Sequence, residues 1–290
     1  MRLRLRRALF GMSILLVLLV GLAWWSWTPG ARPMALGEPP APLPAAFRTW
    51  EEHDAIYGRD REPYVYEWTR AGSSAALCYV GVFHGVDPAH GHRRAIDARF
   101  AAFAPTVALC EGRARGHFTE WPFALLPQGE PAQVHALARR AGIPIHSLEP
   151  PYEREVAALL EVEPPPRVAL YLTLRGYWSE SGGAADEALF ADLLAKRSDV
   201  DGLRGALPDV GAADAAWASL AAEHGDWRTR HDEPRGTWLA NLSERSRITR
   251  GEHMVRLLAE LVGRGERVFA VVGRSHVIRH EPTLAALLGG

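Results

Sequence analysis

The sequence predicts an α/β protein with a largely parallel central sheet, flanking helices and a helical insertion, preceded by one N-terminal transmembrane helix. Three observations lead there. Short apolar runs rich in Val, Phe and Tyr read as buried parallel strands. Helical patterns alternate with them, as in strand-helix-strand units. A long uncharged stretch follows a cluster of arginines at the N-terminus.

Taken in order, residues 1–7 form a basic segment carrying Arg2, Arg4, Arg6 and Arg7. Residues 8–27 are uncharged, and at about 1.5 Å per residue they span a bilayer core of about 30 Å. Trp24, Trp25 and Trp27 close the run like an interfacial aromatic belt, and no small-residue cleavage site follows, which favours an uncleaved anchor over a cleaved signal. Arginines ahead of the span keep that end cytoplasmic. The expected location is therefore the inner membrane, single-pass, with the main domain periplasmic. Residues 28–46, with Pro29, Pro33, Pro39, Pro40, Pro42 and Pro44, read as a semi-rigid linker. The folded domain is expected over 47–290, with its helical insertion at about 152–235.

Within that domain Tyr64 to Thr69 reads as a strand, turning at Ala71 to Ser74 into a second strand from Leu77 to Val80. Helices from about His92 to Phe103 and Pro131 to Ala141 lead to strands at Thr106 to Cys110 and Ile143 to Leu148. Helical pieces follow at Glu153 to Leu160, Arg167 to Trp178, Ala184 to Arg197 and Ala212 to Glu223. A helix from about Gly251 to Val262 leads to the strand Val268 to Val272, and a helix from Glu281 to Leu288 ends the pattern.

Composition excludes several functions. The 33 basic and 34 acidic residues balance, and a pI near 6.9 gives no case for nucleic acid. Lys196 is the sole lysine, which removes P-loop and most Schiff-base chemistry. No Gly-x-Ser-x-Gly elbow is present, which argues against a serine hydrolase. If Cys78 and Cys110 lay on neighbouring strands, they would be offset by about five residues, or roughly 16 Å. That is beyond disulfide reach, so both read as buried free thiols.

The chemistry gathers at strand ends. The first Gly-x-x-His, Gly81-Val82-Phe83-His84, and the second, Gly273-Arg274-Ser275-His276, each follow an apolar strand, while two other strands end in Glu111 and Glu149. Open α/β sheets build their sites beyond the carboxyl ends of strands. Imidazole with carboxylate suits Mn, Fe, Co or Zn, and such an ion can acidify a bound water towards neutrality. His84, His276 and Glu111 are thus candidate metal ligands, with Glu111 and Glu149 as candidate proton acceptors. His90 and His92 sit in Asp87 to His92, which reads as a solvated loop. His276 and His280 have the spacing of a zincin helix, but Arg279 stands where its glutamate belongs.

The two Gly-x-x-His motifs, Glu111, the Leu148-Glu149 pair, and Arg250 with Met254 on the helix before the last strand resemble the TraB/GumN/Tiki family. That family belongs to a wider group with ChaN-like and erythromycin esterase-like proteins. The similarity runs from about Tyr64 to Leu288. It implies a two-half α/β core in which the two Gly-x-x-His turns meet, and a divalent-metal-dependent peptidase on a membrane anchor. It further implies metal ligation by His84 and His276, a ligand or general-base role for Glu111, and Arg250 as a polar partner at the site; being permanently charged, Arg250 would stabilise an oxyanion or orient a carboxylate. Tyr79-Val80 before the first motif and Asp87-Pro88 after it depart from the family pattern. So do Arg274 and Ser275, which replace small residues, and Arg274 is expected at the mouth of the site.

The expected function is a metal-dependent, peptidase-like hydrolase acting on a peptide or small-molecule ester. The alternatives are a non-catalytic metal- or haem-binding or signalling module, and a metal-free esterase-like hydrolase.

Overall fold

The computed structural model describes residues 27–28, 31–36, 41–59, 62–83, 91–112, 117–118, 129–182, 184–220, 224–230 and 236–289. Among the described residues no helix is long and apolar enough to cross a membrane. Residues 1–26, which hold the basic segment and nearly all of the expected anchor, lie outside them.

The elements in chain order are β1 (Trp27–Thr28), β2 (Arg32–Pro33), α1 (Trp50–Tyr57), β3 (Tyr64–Thr69), β4 (Ala76–Val82), α2 (Gly91–Phe103), β5 (Val107–Cys110), β6 (His117–Phe118), α3 (Gly129–Ala141) and β7 (Ile145–Ser147). Then come α4 (Tyr152–Leu160), α5 (Pro165–Ser181), α6 (Glu187–Ser198), α7 (Val210–Trp217), α8 (Trp238–Gly263), β8 (Arg267–Gly273) and α9 (Arg274–Leu288). The chain divides into two compact units, one formed by Met1–Glu149 with His253–Gly290, the other by Pro150–Glu252.

The first unit is α/β, built on a six-stranded, mostly parallel sheet of order β2-β7-β5-β8-β4-β3, in which β3 runs antiparallel to β4. β1 and β6 form a separate antiparallel pair that aligns Trp27 with Phe118. Alternation along each strand sorts side chains to two faces. Leu77, Tyr79, Leu109, Val268 and Ala270 pack on one face with Met254 to Val262 of α8 and with α9. Cys78, Val80, Ala108, Phe269 and Val271 pack on the other with Ile96 and Phe100 of α2 and Val134 of α3.

Four expectations need correction here. β8 lies between β4 and β5, so Cys78 and Cys110 are not on neighbouring strands; Cys78 aligns with Phe269, and Phe269 with Ala108. The thiols remain free because a whole strand separates them. The proline-rich stretch is not a free linker where it is described. Arg32 and Pro33 pair with β7 at the sheet edge, where a strand tolerates proline, and Met34, Leu36 and Leu43 pack against the core. The segment Asp87 to His92 is not wholly loop, since α2 begins at Gly91 and His92 is buried on the ring of Phe83.

The fourth concerns α9, which starts at Arg274, well before the expected Glu281, and runs through Pro282. Proline should leave the carbonyl of Ile278 without its helical donor. Arg48 supplies one: its Nη1 donates to the Ile278 oxygen at 2.5 Å, and its amide to the Arg279 oxygen at 2.9 Å.

The second unit is helical, comprising α4 to α7, a 3-10 turn at Trp227–Thr229 and the first part of α8. Tyr177, Phe190 and Trp227 form an aromatic nucleus with centroids 4.2 to 5.8 Å apart. The helix expected from Ala212 to Glu223 ends sooner, at Trp217, whose indole N–H donates to the carbonyl of Gly225.

Candidate functional site

Because β8 sits between β5 and β4, the carboxyl ends of three strands meet around the start of α9. The chain passes from β8 into α9 with no connecting loop, and Gly273 is the N-cap residue without a side chain to cap it. Glu111, one residue beyond β5, takes over that role. Its amide bonds the Val271 carbonyl at 3.0 Å, which keeps it in register with β8. Its Oε2 accepts from Gly273 N–H at 2.7 Å. The partial positive charge of the helix start favours a carboxylate there.

The second oxygen of the same carboxylate faces a histidine. Glu111 Oε1 lies 3.5 Å from His276 Nε2, and the two side chains are 17% and 18% exposed. His276 also approaches His280, with ring centroids 5.3 Å apart, and His280 Nδ1 is paired with the hydroxyl of Tyr79 at 3.1 Å. The i, i+4 histidines therefore share a helix, with His280 buried and tied to β4.

Gly81 explains why a glycine precedes the first motif's histidine. A Cβ on Gly81 would lie 2.9 Å from Arg274 Cα and 2.9 Å from Val277 Cγ2, so the first turn of α9 rests directly on β4. His84 lies outside the described residues, as does His90.

Glu149 stands two residues past β7, one strand further from β8 than Glu111. It is 4% exposed, and its amide donates to Ser147 Oγ at 3.1 Å. Both carboxylates act on Cys110, whose thiol is pushed up to about 12 by burial first and then by the charges of Glu111 and Glu149. A thiol so raised is not a nucleophile near neutral pH. Cys78 is likewise raised to about 12, by burial and then by Glu67.

Arg274 is not at the mouth of a site. It is 3% exposed, donates to the Glu62 carbonyl, and lies over the rings of Tyr64 and Phe83 at 5.8 and 5.4 Å. Long side chains bury well where an aromatic face and a carbonyl receive the guanidinium. Arg250 belongs to the helical unit, on the first part of α8. Its charge there opposes that of Arg175, which Glu155 at 2.6 Å nevertheless holds above its ordinary pKa against the lowering effect of burial.

Among the described residues no group of three or more His, Cys, Asp or Glu side chains is placed to hold a metal ion. What they offer is the His276 and Glu111 pair. A further polar pair is not visible in the sequence: His53 of α1 bonds Ser275 Oγ at 3.0 Å. The available signal was the capping box of Thr49 and Glu52, which marks a helix start just ahead of His53.

No protein-family profile, no curated protein and no solved structure matches this chain.

Proposed function

We propose that the chain is a hydrolase of peptide or small ester bonds, centred on His276 and Glu111, with a divalent ion of Mn, Co, Fe or Zn as its cofactor. The observation that carries the reading is the 3.5 Å approach of His276 Nε2 to Glu111 Oε1 at adjacent strand ends. Donors about 3.4 Å apart form an edge of a tetrahedral shell with bonds of about 2.1 Å, so the pair fits such an ion. His276 and Glu111 would hold it, with His84 as the third ligand. Once bound, the ion would supply Lewis-acid polarisation of the scissile carbonyl and a water acidified towards neutrality.

The protein's own groups do the rest. Gly273 N–H fixes Glu111, so its second oxygen keeps one orientation. Glu149 or Glu111 takes the proton of the attacking water on a carboxylate oxygen and returns it to the leaving group. The proposal includes the anchor at 8–27 and a periplasmic body. A periplasmic reporter fused after Gly290 should then be active, whereas activity only of a cytoplasmic reporter would refute that topology.

A second reading follows from the same contact. With no ion, Glu111 would orient the His276 imidazole, and its Nδ1 would draw the proton from water.

The test is metal content and turnover of the purified full chain. His276→Ala should lose bound metal and activity together. Glu111→Gln should cut turnover roughly 10²- to 10⁴-fold, with metal retained if Glu111 is the base and lost if it is a ligand. Turnover that survives complete metal removal selects the second reading. A wild-type chain that cleaves no peptide or ester with any of the four ions would end both.

A further inference from the structure

We propose that Ser275, His53 and Asp54 form a separate nucleophilic centre, a Ser-His-Asp relay that accepts the acyl group of an ester or thioester. This inference does not rest on the metal reading.

The geometry is that of such a relay. His53 Nδ1 pairs with Asp54 Oδ1 at 2.8 Å and His53 Nε2 with Ser275 Oγ at 3.0 Å. An ionised carboxylate can only accept, so in the neutral imidazole the tautomer that suits this contact has its proton on Nδ1 and its Nε2 lone pair towards the hydroxyl. Ser275 is therefore the donor, which is the polarity that a base and its nucleophile require.

Packing holds the ring in place. The His53 side chain is 5% exposed and lies between Trp50 and Tyr57, with centroids 5.1 and 4.9 Å away, whereas Asp54, 77% exposed, reaches the ring from the solvent side. Helix α1 is fastened to α9 by Arg48 bridging to Glu281 at 2.7 Å and by Arg279 over Trp50 at 4.1 Å. Ser275 is half-buried rather than sealed.

The position of Ser275 is as informative as its partners. It lies in the first turn of α9, at a strand-to-helix junction, where first-turn N–H groups have no intrahelical acceptor and can receive a developing oxyanion. Gly273-Arg274-Ser275 supplies the first three residues of a Gly-x-Ser-x-Gly elbow, and Val277 occupies the last position. The final glycine of such an elbow lets helix and strand approach closely. Here the room comes from the facing strand, because Gly81 is where a Cβ would strike Val277 and Arg274. The sequence pattern is broken, but the space it provides is present. A triad is recognised by geometry rather than by sequence order.

The chemistry closes with water alone. Ser275 Oγ attacks the acyl carbon as its proton passes to His53 Nε2. The bond to the leaving oxygen or sulfur then breaks as Nε2 returns that proton to it. Water, deprotonated by the same nitrogen, releases the acid and restores Ser275. Asp54 is a positioning residue.

The full chain, treated with a fluorophosphonate in the presence of EDTA and digested for mass spectrometry, should carry one adduct, on Ser275. Ser275→Ala should abolish it, and His53→Gln should slow it at least about 100-fold. Asp54→Asn should slow it at least about tenfold with no change in thermal unfolding, a split that a merely structural contact would not produce. Wild type should also release a burst of about one p-nitrophenolate per chain from p-nitrophenyl acetate, trapped as acetyl-Ser275. That measurement decides the matter even if His53→Gln fails to fold. Folded wild type with neither adduct nor burst, an adduct elsewhere, or labelling that EDTA prevents would overturn the proposal.

Discussion

The helical unit and the sheet unit place their charged and polar side chains in opposite ways. In the helical unit the guanidinium groups are closed by carboxylates: Arg228 meets Asp214, Glu187 and Asp226 at 2.8 to 3.2 Å, and Arg175 meets Glu155. In the sheet unit polar groups sit at strand ends and are joined across great lengths of chain, Glu111 to Gly273, His53 to Ser275 and Arg48 to Ile278. A charge neutralised inside its own unit serves stability. Groups that meet only through topology are the ones left with exposed edges and spare lone pairs, which is what a reactive site needs.

The largest effect expected tests the helical side of this contrast. Phe190→Ala removes a fully buried ring from the Tyr177 and Trp227 nucleus and should cost about 3–5 kcal/mol. Urea unfolding followed by tryptophan fluorescence would measure it. A cost below about 1 kcal/mol would show that the unit does not depend on that nucleus.

Next in size is Gly81→Ala, which forces a methyl against Arg274 and Val277 and should cost about 1–3 kcal/mol. Adding Val277→Ala should recover only part, because the Arg274 contact is backbone. Full recovery would mean the close approach is between side chains alone.

Arg48→Ala should follow at about 1–2 kcal/mol, through loss of the Glu281 bridge and of the donor to Ile278. Pro282→Ala restores the helical N–H, so Arg48→Ala should cost less in its presence. Equal costs in both backgrounds would remove the proline from the explanation.

The smallest effect is the response to acid. Arg228 bonds hold Asp214 below the usual carboxylate range, and in Glu281 the bonds from Arg48 and Tyr64 outweigh the raising effect of burial. A lowered folded pKa means that the unfolded chain binds protons first. The stabilisation is thus complete above about pH 5 and is lost as pH falls through the folded values. Asp214 is 46% exposed and Glu281 28%. Screening limits each to about 0.5–1 kcal/mol, with Glu281→Gln flattening the acid limb of the stability profile more than Asp214→Asn.

The same contrast governs what could be read from sequence. Strands β4, β5 and β8 are legible because an apolar run ending in Gly or Glu is a local signal, and β3 because the turn at Ala71 to Ser74 marks its end. The order of β8 between β4 and β5 was not, since no local feature states which edges a strand will join. The seven residues of α9 ahead of Glu281 are hidden because proline suits the first turn of a helix and not its interior, and Arg48, which supplies the donor that Pro282 denies to Ile278, lies 230 positions from Ile278 in sequence. Glu111 and His276 were visible as strand-end residues. His53 was not, because nothing beside it in the chain says that Ser275 will be its neighbour. Arg274 was misplaced for a related reason: the rings of Tyr64 and Phe83 that receive it belong to other parts of the chain.

The central place of β8 also bears on how the protein is made. During synthesis β4 and β5 leave the ribosome with their facing edges unpaired, and those edges stay open until Arg267–Gly273 emerges after the helical unit. Open strand edges recruit other strands. A chain cut short within the helical unit therefore lacks the strand that joins β4 and β3 to β5, β7 and β2. β8 is thus the strand that turns two separate strand groups into one sheet.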